Sequence, residues 1–403
     1  MASSRFAEYT RFVGALRYTL VATASFGLEA VVRSELRSLG VGELRAEDRG
    51  VWFEGTLEEA ARCNVRLRAA DRVLVRLAEF PASDFEELYG GVRAVPWKDF
   101  LAPSPAVIVQ ARTAKSRLSS LPAIQSVAKK AIVDSLSPGR ARIEETGPRY
   151  PVEVAIRGDR ASVFLDTTGW GLHKRGYRVA AGEAPLRENL AAAMVLLSRW
   201  DPSRPFADPL CGSGTIPIEA AMIAWNIAPG ISRSFAAESW PHVPAAAWRE
   251  ARQEARAAER RDLSVRIAGS DEDARIVSTA RRNAEKAGVA DAVSFEAARL
   301  EDFRPAGEYG CMVSNPPYGE RIGGEREVEG LYKAMGRLFR ELGTWSLFAL
   351  SAHPGFPELF GSPASRNRKL YNGNIRCYYY QYFGPLSAGE GASGHGVPPV
   401  QGD

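Results

Sequence analysis

Hydrophobic and polar positions alternate over residues 18–23. From 27 to 39 they switch to a helical spacing carried by Leu28, Val31, Val32, Glu35, Leu36 and Leu39. A period of two marks a strand and one near 3.6 a helix. Gly40-Val41-Gly42 stops the helix, and residues 44–48 and 50–54 read as a hairpin about Arg49-Gly50. A helix over 56–70 and a strand over 72–80 complete a βαββαβ order, which predicts a ferredoxin-like unit. A helix over 85–92, a strand over 106–112, a helix over 122–136 and strands over 151–157 and 160–165 follow.

Past residue 185 the pattern becomes strand–helix alternation. Helices are predicted over 186–200, 215–225, 245–261, 273–287 and 328–342, with strands over 204–210, 265–270, 292–296, 309–313 and 346–353. Such alternation predicts a parallel, doubly wound sheet. Strands over 366–371 and 374–383, turning at Asn372-Gly373, add an antiparallel hairpin at one end. Between the halves, Trp170-Gly171-Leu172-His173-Lys174-Arg175-Gly176-Tyr177-Arg178 is glycine-punctuated, basic and aromatic, and reads as a connecting loop. The unpatterned start, 1–16, is expected to be a flexible arm, and the Gly-, Pro- and Ser-rich stretch 386–403 a disordered tail.

With 403 residues, 45% of them hydrophobic, the chain can build two or three proper cores. It has no apolar run of membrane-spanning length and no secretion signal at Met1-Ala2-Ser3-Ser4. Cys63, Cys211, Cys311 and Cys377 are scattered without metal-ligand spacing, which predicts reduced thiols, a cytoplasmic setting and no metal. A net charge of +4 permits an acidic partner without demanding one.

Three stretches carry candidate chemistry. In Ser314-Asn315-Pro316-Pro317-Tyr318-Gly319, two prolines preset a rigid turn after a short apolar strand. An amide before them and an aromatic after them suit a flat substrate with a polar edge; the same residues also read as a structural corner. In Asp208-Pro209-Leu210-Cys211-Gly212-Ser213-Gly214-Thr215, an acid ends a strand and Gly-x-Gly opens a helix, so a ligand can approach the backbone. No lysine follows as in a phosphate loop, and Pro217 replaces the third glycine of a dinucleotide site. An acid there suits a cationic amine better than a pyrophosphate, and an ordinary strand–helix turn is the alternative. Asp271 ends the next strand and suits ribose hydroxyls; it, or Asp273, could instead cap the helix that follows.

In this order the three stretches resemble those of class I (Rossmann-like) methyltransferases that use S-adenosylmethionine (SAM). The resemblance implies that Asp208, Leu210, Cys211, Gly212, Ser213, Gly214 and Thr215 hold the methionine part, and that Asp271 holds the ribose. Asn315, Pro316 and Tyr318 would form the amine-methylating motif, with Asn315 also beside the cofactor. Phe295-Glu296-Ala297-Ala298-Arg299 lacks the acid that often meets the adenine amine, a role that falls to Glu301 or Asp302. Trp97 and Lys115-Ser116-Arg117-Leu118 look like the RNA-binding THUMP domain, preceded by its ferredoxin-like partner. Residues 173–178, Ala184-Pro185-Leu186-Arg187-Glu188-Asn189-Leu190 and Ile227-Ala228-Pro229-Gly230 are similar to bacterial 23S rRNA guanine-N2 methyltransferases. The implied organisation is a ferredoxin-like domain over 17–70, a THUMP domain over 71–166, a linker over 167–185 and a methyltransferase domain over 186–385. Lys115, Arg117, Lys129, Lys130, Lys174, Arg175 and Arg178 become candidate RNA contacts. The alternatives are a tRNA guanine-N2 methyltransferase, an adenine-N6 DNA methyltransferase and a non-catalytic RNA-binding assembly factor.

Overall fold

A computed structural model of the chain describes residues 16–47, 49–139, 142–179, 186–318 and 325–385. The expectations for the arm before residue 16, the tail from 386, Ala184-Pro185 and Gly319 lie outside them.

β1 (Tyr18–Thr23), α1 (Glu29–Ser38), β2 (Arg45–Glu47), β3 (Gly50–Gly55), α2 (Leu57–Arg66) and β4 (Arg72–Pro81) form in the βαββαβ order. The start of α2 is set locally: Thr56 Oγ1 accepts from Glu59 N, and Thr56 N donates to Glu59 Oε2 at 2.8 Å, a reciprocal capping box. α3 (Phe85–Ala94), α4 (Trp97–Phe100), β5 (Ala106–Ala114), α5 (Leu121–Leu136), β6 (Arg149–Arg157) and β7 (Arg160–Asp166) follow. The two units share one sheet. β4, which completes the βαββαβ order yet falls within the expected THUMP bounds of 71–166, pairs with β1 on one edge and β7 on the other. The strand order β2-β3-β1-β4-β7-β6-β5 is therefore continuous, antiparallel except for β5 and β6.

The second half contains α6 (Glu188–Ser198), β8 (Phe206–Asp208), α7 (Thr215–Ala224), α8 (Ala245–Ala257), β9 (Ile267–Asp271), α9 (Ala274–Ala287) and β10 (Val293–Ala297). β11 (Cys311–Ser314), α10 (Glu325–Leu342), β12 (Ser346–Ser351), α11 (Phe356–Phe360), β13 (Arg366–Asn372) and β14 (Ile375–Tyr382) complete it. The sheet order is β10-β9-β8-β11-β12-β14-β13. The first five strands are parallel, and β14 turns antiparallel against β12. This is the Rossmann-like sheet with a terminal hairpin that the alternation predicts. β11 and β12 are buried at every position, as strands covered on both faces must be. The hairpin differs from expectation by one residue. Asn372 pairs with Ile375, so the two-residue turn is Gly373-Asn374, and Asn372 belongs to the strand.

The halves are joined by packing as well as by chain. α6 and α7 are apolar almost all round and correspondingly buried. Residues 167–178, expected as a loop, are irregular but held. Asn64 Nδ2 donates to Thr167 Oγ1 at 2.8 Å, and Thr168 Oγ1 to Asn64 Oδ1 at 2.6 Å. Beyond α7, Gly230 N donates to Val65 O at 2.9 Å, and the Trp240 ring stacks on Tyr150 with centroids 4.9 Å apart. Such an aromatic pair contributes roughly 0.5–1.5 kcal/mol beyond the area it buries.

Candidate active site

The site is built where the sheet order reverses. From β8 the chain moves to β9 on one side, and β11 later fills the other side. Ligands of open α/β sheets bind beyond the strand ends at such a point. Asp208 closes β8 there and is 1% exposed. Its Oδ1 accepts from Leu210 N at 3.2 Å and from Ser314 Oγ at 2.8 Å, so the ends of β8 and β11 are tied together. Burial pushes the Asp208 carboxyl up to about 7 against those two hydrogen bonds, and neighbouring Asp271 adds to the rise. A cationic group arriving here would restore its charge.

The glycine loop is shaped from several directions. Gly214 precedes α7 with φ +82°, and a Cβ on it would lie 2.8 Å from the Phe295 ring and 3.0 Å from Ala280 Cβ. Only glycine fits that crevice. Cys211 N donates to Ser270 O at 2.8 Å, and Asn283 Nδ2 on α9 donates to Ser213 O at 2.9 Å. Thr215 Oγ1 accepts from Arg178 Nη2 at 3.1 Å. Asp271 is half-buried at the end of β9. Its Oδ2 accepts from Gly212 N at 3.1 Å and its Oδ1 from Asp273 N at 3.0 Å. Asp273 is the cap of α9, accepting from Arg275 N at 2.8 Å. Of the two acids the sequence left open for that cap, Asp273 takes it, and Asp271 braces the glycine loop. Glu301 and Asp302 stand exposed in the turn beyond β10.

The proline turn leaves β11 directly beside Asp208. Asn315 Oδ1 is buried and has no hydrogen-bond partner among the described residues. An orphaned buried acceptor costs roughly 1–3 kcal/mol, so such atoms commonly mark a place where a ligand donates. Pro316 is buried behind it, and the Pro317 carbonyl accepts from Tyr332 Oη at 2.8 Å. The Tyr318 ring is half-buried, and its hydroxyl accepts from Asn372 Nδ2 at 2.8 Å. Burial raises that phenol's pKa, so it stays neutral. Ser314, Asn283, Tyr332 and Asn372 all position the site; the sequence names Ser314 only as the start of the proline stretch and gives none of the four a role in it. Asn283 had a signal, being an amide on the buried stripe Val277, Ala280, Asn283, Ala284 of α9.

The seven candidate RNA contacts separate. Lys115, Arg117, Lys130 and Lys174 are exposed. Lys130 is paired to Asp134 at 2.8 Å, and Arg117 lies 3.8 Å from Asp159. Lys129 is half-buried and bonded to Glu145 and the Val107 carbonyl. Two expectations are corrected. Arg175 is 4% exposed, its guanidinium donating to Glu219 Oε1 at 3.3 Å, to Leu172 O at 2.6 Å and to Arg68 O, which leaves no donor face for phosphate. Arg178 is spent inside as well, on Glu188 at 2.9 Å, Thr215 and the Leu186 carbonyl.

Comparison with known proteins gives the same frame. Residues 19–74 match the RlmL ferredoxin-like domain and 82–166 the THUMP domain, while 175–381 match the RMKL-like methyltransferase domain. The chain belongs to the RMKL-like methyltransferase family. One similar protein is YpsC of Bacillus subtilis (strain 168), which its name provisionally assigns to the RNA methyltransferases. It is 46% identical over 371 residues, covering 91% of this chain and 96% of YpsC. The crystal structure of SMU.472, complexed with SAH, superposes with a TM-score of 0.87 at 45% identity, over 92% of this chain and 99% of that one. A Listeria monocytogenes str. 4b F2365 structure, described as a predicted N6-adenine-specific DNA methylase, gives 0.86 at 44% identity, over 92% and 97% of the two chains. For an RMKL-like methyltransferase, the orphaned Asn315 oxygen and the buried Asp208 are the two features that a ligand would complete.

Proposed function

We propose that the protein uses SAM to methylate the exocyclic N2 amine of a guanine in 23S rRNA. The observation that carries this reading is the buried Oδ1 of Asn315 at the switch point of the sheet, without a partner among the described residues. An exocyclic amine is a poor nucleophile because its lone pair is delocalised into the ring. Donating one N–H to Asn315 Oδ1 and the other to the Pro316 carbonyl would favour a pyramidal nitrogen and aim the lone pair outward. Catalysis is then positioning and electrostatics, and the product sheds its extra proton without a strong base. Extruding the base from its stack costs a few kcal/mol, which stacking on Tyr318 offsets in part.

The residues present fit the cofactor. Asp208 would take its ammonium group, the loop from Leu210 to Thr215 its methionine part, Asp271 its ribose, and Asp302 the adenine edge. When bound, SAM supplies an electrophilic methyl. Support for RNA comes from the THUMP match and from the name of YpsC. Support for guanine and for 23S rRNA comes from the resemblance of residues 173–178, 184–190 and 227–230. With that substrate the N-terminal half holds the RNA, and the protein works in the cytoplasm.

The deciding experiment is nucleoside mass spectrometry of rRNA, tRNA and DNA from a strain lacking the gene. Loss of N2-methylguanosine from 23S rRNA is the expected result. Its loss from tRNA would shift the substrate, and loss of N6-methyladenine from DNA would sink the guanine reading.

A further inference from the structure

We infer that Trp170 and Phe26, with the cations around them, form a surface for unpaired RNA at the seam between the two halves; this rests on the RNA reading above. Trp170 is 77% exposed, the barest large apolar side chain among the described residues, and Phe26 is 48% exposed. The loops that carry them are tied together. Leu172 N donates to Asp71 O at 2.8 Å. The Asp71 carboxylate accepts from Ser25 Oγ at 3.3 Å and from Asn189 Nδ2 at 2.8 Å. Arg233 clamps the Trp170 carbonyl and Arg72 the Gly169 carbonyl, so the indole projects from a braced segment.

The carboxylates here are held by partners, Asp71 by Ser25 and Asn189, Glu29 by Gly27 N and Asp166 by Arg72, whereas Lys174, on the Trp170 loop, and Arg187, the cap of α6, stand exposed. Partial burial, and then the field of Arg187, Lys174, Arg175 and Arg72, pushes His173 down to about 4, which keeps the imidazole neutral.

The surface connects to both parts of the catalytic site. Phe26 meets Tyr371 edge-on at 5.9 Å, and the Lys369 ammonium lies 5.4 Å and 5.6 Å from those two ring centroids. A Cβ on Gly27 would lie 2.6 Å from Lys369 O, and Arg368 Nη1 donates to Gly27 O at 3.1 Å, so the loop is closed tightly onto β13. The residue after Tyr371 is Asn372, which holds Tyr318. In the other direction, the chain from Trp170 reaches the glycine loop through Arg178 and Thr215, and through Val179 N and Asn283 Oδ1 at 3.0 Å. Exposed rings interleaved with lysine and arginine suit bases that are already unstacked; a duplex hides its base faces.

The test uses the full chain, a short unstructured fluorescein-labelled RNA and a fully paired hairpin of the same composition. Trp170→Ala is expected to weaken single-strand binding about tenfold, as loss of one stacked base does. Trp170→Phe keeps most of the affinity, and SAM affinity by calorimetry is unchanged in both. Arg187→Gln lowers the slope of log affinity against log salt by about one. Wild-type single-strand binding by Trp170→Ala, with loss in Lys115→Gln/Arg117→Gln, would move the RNA to the THUMP surface and overturn the proposal. Equal affinity of the wild type for the hairpin would overturn the preference for unpaired RNA. If the wild type binds neither probe, the RNA reading itself fails.

Discussion

At the residue scale, Asp208 and Asn315 are both incomplete in the same corner, one by charge and one by hydrogen bonding. The sign for Asp208 follows from its position at about 7. Below that pH the free protein holds the carboxyl neutral. An ammonium ligand favours the ionised form, so binding expels a proton. SAM affinity is therefore expected to rise with pH up to about 7 and level off, and to be about tenfold weaker at pH 6 than at pH 8. Calorimetric titration across that range checks it, and Asp208→Asn should flatten the profile. In the free protein the same shift disfavours the fold as pH rises from the usual carboxylate range toward 7. Asn315→Ala is expected to lower turnover roughly 10²–10³-fold, the usual loss on removing one preorganised hydrogen-bonding group. Because it also removes an orphaned acceptor, it should leave the melting temperature unreduced and SAM affinity within a few-fold. Near-normal turnover in that variant would contradict the clamp.

At the scale of elements, helix α7 and the terminal hairpin each deliver one wall of the site. Gly214→Ala forces a side chain into a left-handed backbone and against Phe295. It should cost about 1–2 kcal/mol of stability and most SAM binding, read by denaturation and calorimetry. The hairpin acts on Tyr318 through Asn372. Asn372→Ala should reduce turnover about tenfold, roughly the worth of a good positioning contact, while SAM affinity stays constant. An unchanged rate would make Asn372 merely structural. Much of this scale was legible in advance. Glycine and proline announce the turns they need, so the loop over 208–215 and the corner over 314–318 stood out. The hairpin's existence was legible, but its turn was off by one residue. Asn-Gly suits the two turn positions, yet the register that pairs Asn372 with Ile375 puts Gly373 and Asn374 there.

At the scale of the whole molecule, the halves share an interior. Arg175 bridges Glu219 on α7 to the backbone of the N-terminal half, and Tyr177 Oη donates to the same carboxylate at 3.2 Å. The side chains of both members of the Arg175–Glu219 pair are 1% exposed or less. Arg175→Ala would strand the carboxylate in the interior and should cost roughly 3–5 kcal/mol. Urea denaturation measures that loss, and the apolar pair Arg175→Met with Glu219→Leu should restore much of it. A loss seen only in the salt dependence of RNA binding would return Arg175 to the surface role that its basic neighbours suggest.

Local pattern by itself determined the order of elements, the parallel sheet with its terminal hairpin, the glycine loop and the proline corner. Each depends on residues a few positions apart, and periodicity and backbone restriction act at that range. Tertiary structure alone decided which charges face water, that β4 pairs into both units, that Asn372 reaches Tyr318, and that Asn315 Oδ1 has no partner among the described residues. Those facts depend on residues brought together from distant parts of the chain, such as Tyr318 with Asn372 and Arg68 with Arg175. A basic run such as 173–178 reads the same whether its guanidinium groups end in solvent or against a buried carboxylate. Only the packing of the two halves sends Arg175 inward and leaves Lys174 out.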